Sequence, residues 1–404
     1  MNGTAKTDGL NWQGWIALVA LVAALAFPLV TVGASPDYVL AEGSNGILAA
    51  ILVVVAVLAG LVRRVSAVGN LIMFVGGLIA AGLAATALNG VAALAARSDL
   101  DSVSRLAAAG GFWALVLVAW MLAWVSVKRL SVAEPERPFG GLLLKIFIPL
   151  VFGATIIFLW EALVRGLAVP FVILPPPSAV WAKLSTSVTF FGPDGLVSGV
   201  LWADFQQTFL KSVVAGYAMG CLSGFAVAVI ADRVPFLGRG LLPVGNLVSA
   251  LPIIGVAPIM VMWFGFDWPS KAAVVVAMTF FPMLINTLAG LEAADQTQRD
   301  LMHTYAADYR QELSMLRLPV ALPFVFNALK INSTLAMIGA IVAEFFGTPI
   351  VGMGFRISTE VGRMNTDMVW AEIAVAAVAG SAFYGVVSLI ERAATFWHPS
   401  FRQP

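Results

Sequence analysis

Apolar runs about as long as a bilayer is thick recur from one end of this 404-residue chain to the other. A helix needs about 20 predominantly apolar residues to cross a hydrocarbon core. Within lipid such a segment must satisfy its own backbone hydrogen bonds, which a helix does without a partner. The pattern therefore predicts an all-α, polytopic membrane protein. Composition agrees. The chain is 60% hydrophobic and 11% charged, whereas a soluble domain carries about 25% charged residues. A net charge of +1 leaves no basic domain for nucleic acid.

Roughly ten spans are expected, over 14–34, 46–62, 67–92, 110–128, 143–166, 206–231, 240–266, 271–292, 323–346 and 370–391. Lys6 precedes the first run and no small-residue cleavage site follows it, so that run reads as an uncleaved helix. Lysine and arginine set the orientation. Arg63, Arg64, Lys128, Arg129, Arg137, Lys145, Arg233, Arg239, Arg299, Arg310, Arg317, Arg392 and Arg402 share one side if the N-terminus is cytoplasmic. Seven basic residues, among them Arg165, Lys183, Lys271 and Arg356, oppose them. Ten spans then place both termini in the cytoplasm.

Residues 129–142, "RLSVAEPERPFGGL", break the apolar pattern with charge, proline and glycine, as a linker does. The break predicts a four-helix membrane module over 1–128, a cytoplasmic linker over 129–142 and a six-span core over 143–404. Within the core, three prolines in "ILPPPSAVWAKL" end one element, and Ser178 can cap the short amphipathic helix that follows. That helix could simply lie at the interface, anchored by Trp181.

One stretch of the core is unlike the rest. Residues 293–322 are polar, and Leu301, Tyr305, Tyr309, Leu313 and Leu316 recur at helical spacing. Arg299, Asp300, Asp308, Arg310 and Glu312 lie mostly off that face. Pro319 and Pro323 suit the first turns of helices. By parity this is a cytoplasmic, amphipathic helical unit. It either rests on headgroups or presents a docking surface.

Residues 300–323, "DLMHTYAADYRQELSMLRLPVALP", resemble the cytoplasmic loop of binding-protein-dependent ABC importer permeases, whose motif runs E-A-A, three residues, G, nine residues, an apolar residue, one residue, L-P. Asp300 falls at the Glu, Leu301 and Met302 at the alanines, Ala306 at the Gly, Leu316 at the apolar position and Leu318-Pro319 at the L-P. Alanine adopts positive φ poorly, so the sharp turn at that glycine is expected to be softer or shifted here. Four further blocks follow the family's order: "LPPPSAVWAKL", "SALPIIGVAPIMVMWFGF", "IGAIVAEFFGTPIVGMGFRI" and "NTDMVWAEI". The subgroup they resemble is the nitrate/sulfonate/taurine type, which includes permeases for thiamine-precursor pyrimidines and riboflavin.

The resemblance implies a homodimeric permease core in the bacterial inner membrane. It also implies a periplasmic or lipid-anchored substrate-binding protein and a cytoplasmic ATPase subunit that holds ATP and Mg²⁺. No cofactor is implied in this chain. Asp300, Leu301, Met302, Tyr305, Ala306, Tyr309, Arg310, Leu313, Leu316, Leu318 and Pro319 would form the coupling loop to the ATPase.

Candidates for the translocation pathway are helix breakers and intramembrane polar groups: Pro252, Pro258, Asn327, Asn332 and Glu344. Glu344 could equally pair or cap within the bundle, as could Glu161 and Glu372. Gly216, Gly220 and Gly224 form an i, i+4, i+8 ladder that suits close helix packing. The single cysteine, Cys221, and the separated His303 and His398 offer no metal site, and no catalytic triad or phosphate-binding loop is present. A secondary transporter would show inverted repeats and midplane charges, and a membrane enzyme a cluster of His, Asp or Cys; neither is evident. Lys330 is the only basic residue read as lying well inside the core spans, while Phe280, Phe281, Phe324 and Phe326 offer aromatic surface. A neutral ring compound, a pyrimidine thiamine precursor or a riboflavin-like heterocycle, is the expected solute, with nitrate, sulfonate or taurine as the alternative.

Overall fold

A computed structural model describes residues 12–26, 53–58, 67–95, 110–132, 138–187, 199–249, 252–347 and 351–396. Arg63, Arg64, Arg97, Arg105, Arg137, His398 and Arg402 lie outside them. Every described element is helical. Six described helices are long and apolar enough to cross a membrane, which supports the all-α, polytopic reading. The chain divides into two compact units, residues 1–179 and 180–404.

The first unit contains α1 (Trp12–Ala26), α2 (residues 53–58), α3 (Ala67–Ala95), α4 (Gly110–Val132) and α5 (Pro138–Gly166). α4 is its centre and packs on α1, α3 and α5. Small residues make that approach possible: Ala17, Ala20, Ala56, Ala80 and Ala119 interleave with Val118 and Leu122 in one buried cluster. A methyl group added at Gly77 would stand 3.3 Å from Leu122 Cβ. The residues read as a linker are helical through Val132 and again from Pro138.

α6 (Pro177–Ser187) follows the proline run. Ser178 lies within its first turn and is not its N-cap. It is held from outside by Glu161, whose oxygens accept the Ser178 N–H at 2.9 Å and its hydroxyl at 2.8 Å. The span carboxylate thus completes the helix end that Ser178 was expected to cap.

The second unit is built on α10 (Trp268–Glu292), flanked by α7 (Val200–Arg233) and α12 (Tyr309–Glu344). α14 (Thr366–Ala394) packs on α12, and α8 (Pro235–Ser249) and α9 (Ile253–Phe264) pack on α10. Two short helices complete it, α11 (Gln296–Thr304) and α13 (Met353–Gly362). The glycine ladder of α7 faces α10. A Cβ at Gly216 would lie 2.6 Å from Val275 Cβ, and one at Gly224 2.5 Å from the Phe280 carbonyl oxygen. The ladder is therefore helix packing, as its spacing suggested.

The expected span over 240–266 is instead two helices, α8 and α9. Twelve residues, as in α9, rise about 18 Å, short of the roughly 30 Å hydrocarbon core. Proline explains the interruption: Pro252 stands at the N-cap of α9 in extended conformation, Pro258 inside α9 and Pro243 inside α8. Pro319 lies in the first turn of the regular α segment of α12, Leu318–Glu344, as its position suggested, whereas Pro323 lies inside that segment and starts no helix. α12 runs through both, after a widened turn over Leu313–Arg317 in which the Leu318 N–H donates to the Leu313 carbonyl. Such i→i+5 turns occur as local insertions in α-helices, and this one stands where Pro319 withholds a donor.

Candidate functional site

The polar stretch folds as two helices with a tight turn between them. Asp295 caps α11, accepting the Thr297 N–H at 3.1 Å. Three turns of hydrogen bonding would carry the helix past Tyr305, but Ala306 turns it. Its φ is +53°. The Ala306 N–H donates to the His303 carbonyl at 2.9 Å and the Ala307 N–H to the Met302 carbonyl at 3.0 Å, the paired bonds of a Schellman end. The turn is thus made in full by an alanine, at a left-handed cost of about 1–2 kcal/mol, and is neither softened nor shifted.

Asp308 then restarts the helix through a capping box. Its carboxylate accepts the Gln311 N–H at 2.8 Å, and Gln311 Oε1 accepts the Asp308 N–H at 2.9 Å. The turn divides the expected apolar face. Leu301 (56%) on α11 and Tyr305 (79%) at its C-cap are exposed, with Met315 (71%) on α12. Tyr309, Leu313, Leu316, Leu318 and Pro319 are half-buried, and Met302 likewise. Asp300 and Arg310 are exposed, with Asp300 accepting from Gln296 Nε2 at 2.9 Å.

The sequence reading did not single out what fixes this unit to the bundle. Arg317, on α12, is buried and grips Asp232, at the end of α7, through two parallel bonds of 2.8 and 2.5 Å. Its Nε donates to the Leu291 carbonyl of α10 at 3.1 Å. Tyr309 donates its hydroxyl to the same Asp232 at 3.1 Å, and the Arg233 guanidinium stacks 5.1 Å from the Tyr309 ring centre. Removing one partner of such a buried pair strands a charge and costs about 3–5 kcal/mol.

At the other end of α7 a second polar cluster joins α7, α12, α13 and α14. Glu344 is 1% exposed. It accepts the Thr208 hydroxyl at 2.8 Å and the Gly354 N–H at 2.8 Å. Asp204 accepts the Gly352 N–H and Arg356 Nε, the latter at 2.8 Å. Burial pulls the Arg356 pKa down, but the hydrogen bond and charge of Asp204, aided by Glu372 and Glu360, outweigh it and hold the guanidinium above its ordinary value. Gly352 needs its backbone freedom here: φ is +145°, and a Cβ would stand 2.8 Å from the Glu344 carboxylate. α7 is widened at this level, over Gln206–Val213, with the Val214 N–H on the Phe209 carbonyl.

The pathway candidates differ in burial. Asn332 and Glu344 are buried, while Pro252, Pro258 and Asn327 are exposed. Asn332 gives its amide to the Thr279 carbonyl at 2.8 Å and to Cys221 Sγ at 3.2 Å. Phe280 and Phe281 meet edge to face at 4.9 Å, Phe326 is buried and Phe324 exposed. Lys330 pairs with Glu391 at 2.8 Å. α7 begins at Val200, six residues before the expected start, so Lys211 also lies well inside a span, and it is exposed.

Residues 216–396 match the family described as binding-protein-dependent transport system inner membrane component. The riboflavin transport system permease protein RibX of Chloroflexus aurantiacus is 28% identical over 68% of this chain and 97% of its own length. The formylaminopyrimidine transport permease protein ThiX of Halalkalibacterium halodurans is 26% identical over 62% of this chain and 95% of its own. The taurine transport system permease protein TauC of Escherichia coli is 29% identical over 56% and 81%. About a third of this chain therefore has no counterpart in RibX. With its spanning helices, its two-helix polar unit and this match over residues 216–396, the chain is similar to the binding-protein-dependent inner membrane components, the permeases of ABC importers.

Proposed function

We propose that this chain carries a small solute from a periplasmic or lipid-anchored binding protein into the cytoplasm by alternating access. In this reading it works as a homodimer and its α11 unit couples it to a cytoplasmic ATPase subunit that binds ATP and Mg²⁺. Similarity to that family implies both partner types. The observation that supports the coupling role is the surface of α11. Leu301 and Tyr305 are exposed beside Asp300, on an element whose turn and cap fix its shape. A docked helix needs apolar area to bury and charge to set its register.

The topology proposed is ten spans, with α8 and α9 together counted as one broken span, both termini cytoplasmic in the bacterial inner membrane, a four-helix module over 1–128, a linker over 129–142 and the permease core over 143–404. The test of coupling uses Asp300→Arg and Tyr305→Asp. Both variants should insert normally and lose copurification of the ATPase. Normal copurification of both would refute the reading.

For the solute, a pyrimidine thiamine precursor or a riboflavin-like ring is favoured. Lys330, the basic group first expected in the core, is neutralised by Glu391, and two of the relatives are named for riboflavin and formylaminopyrimidine. A second reading, a nitrate, sulfonate or taurine importer, is favoured by Lys211. That exposed lysine makes no hydrogen bond or ion pair among the described residues, and a charge facing lipid is costly. Ligand binding to the cognate binding protein separates the two. Tight binding of nitrate or an alkyl sulfonate, without affinity for pyrimidines or flavins, would overturn the ring reading.

A further inference from the structure

We infer that the Asp232–Arg317 pair is a transmission strut that makes α7 move with the α11–α12 coupling unit, so that both residues are positioning residues for transport. The inference rests on the coupling reading above. The coupling unit is joined by the chain itself to α10, through residues 293–295, and to α12, of which its second half is the first part. α7 has no such continuity. It ends at Arg233 and runs on into α8. Movement of the docked unit can reach α7 through the glycine face against α10, through α12 contacts farther along such as Tyr217 to the Leu329 carbonyl and Asn332 to Cys221, or at the level of the unit itself through Asp232.

The geometry suits a strut better than a surface ion pair. Exposed pairs contribute little and exchange freely with water, but the Arg317 and Asp232 side chains are only 9% and 6% exposed. The guanidinium fork engages both carboxylate oxygens, which fixes angle as well as distance. The remaining Nε is bound to Leu291 O, so one side chain ties three helices at one level. Tyr309 adds a second bond to Asp232 from the first turn after the capping box. The widened turn at Leu313–Arg317 ends on Arg317 itself, so the irregular turn lies at the strut. At the far end of α7 the Asp204 and Thr208 contacts reach α13 and α12. A rigid α7 would therefore link the two polar clusters.

The test uses the full chain with its ATPase in lipid nanodiscs and needs no knowledge of the solute. A spin label at Val200→Cys, an exposed position at the start of α7, on a Cys221→Ser background, reports the distance between the two copies with and without ATP plus vanadate. Arg317→Gln and Asp232→Asn should keep the ATPase bound and lose the nucleotide-driven shift at residue 200. The exchanged pair, Asp232→Arg with Arg317→Asp, should recover part of it, which a purely local packing role would not produce. A full wild-type shift in both single variants with ATPase bound overturns the strut. Should those variants fail to reach the membrane, Arg317→Lys keeps the charge, loses the fork and carries the test: a full shift overturns the proposal, a diminished one supports it. Failure of the unaltered chain to bind the ATPase would instead overturn the coupling reading, and the strut with it.

Discussion

Thr208 and Glu344, 136 residues apart in sequence, meet through a hydroxyl that stands 2.8 and 3.0 Å from the two carboxylate oxygens. The same hydroxyl accepts the Met353 N–H at 2.8 Å. One side chain thus joins α7, the end of α12 and the start of α13, and Glu344 in turn holds the Gly354 N–H. Thr208→Val keeps the shape and removes both bonds, leaving a backbone N–H and a carboxylate short of partners. A loss of about 1–3 kcal/mol is expected, seen as a lower unfolding temperature in detergent. An unchanged melting curve would show that the hydroxyl is dispensable.

The α7–α10 contact makes a second prediction. A methyl group at Gly220 would collide with Thr279 Oγ1, itself fixed on the Val275 carbonyl at 2.8 Å. Neither backbone nor hydroxyl can yield without parting the helices, so Gly220→Ala should destabilise the fold by about 1–3 kcal/mol. Gly240→Ala is the control, because nothing lies within 4 Å of its added Cβ. Equal melting of the two variants would contradict the packing reading.

Much of this was legible in the sequence, for reasons that differ by element. Continuous apolar runs have one solution in lipid, so α4, α5, α7, α10, α12 and α14 were readable from hydropathy alone. The glycine ladder was readable because its period is that of one helix face. α8 and α9 were misread as one span because hydropathy does not register that Pro252 is extended. Lys211 was misplaced because apolar residues begin α7 before its strongest hydropathy. Asp232 and Arg317 carry no local signature; a buried pair 85 residues apart is visible only when the ends of α7 and α12 are brought together. The clue available was an arginine set among apolar residues directly before Leu318-Pro319.

Glu372 offers a third prediction. It is fully buried beside Asp204, and among the described residues neither of its oxygens receives an N–H or hydroxyl donor. Two carboxyl groups side by side lack a donor between them unless one supplies it. Glu372→Gln places an amide N–H₂ there at almost unchanged volume. The variant should therefore melt at or above the temperature of the unaltered chain. A clear fall would mean that the carboxyl oxygens face a group that an amide cannot satisfy.

The alanine at the turn makes the last prediction. Ala306 holds φ at +53°, where its Cβ crowds the following carbonyl and glycine would not. The conformation is imposed by the bonds on either side, the Schellman pair before it and the Asp308 capping box after it. Ala306→Gly removes the crowding but gives the unfolded chain more freedom, so the net gain should be about 1 kcal/mol. That is roughly a fivefold shift in a local opening equilibrium. Amide exchange at residues 306 and 307, whose N–H groups close the turn, should slow by about that factor. Ala306→Val, β-branched and far worse at positive φ, should speed exchange at the same amides and weaken ATPase copurification. If glycine left the exchange rates unchanged or raised them, the turn would not be strained, and the alanine would have to be accommodated by a backbone different from the one described.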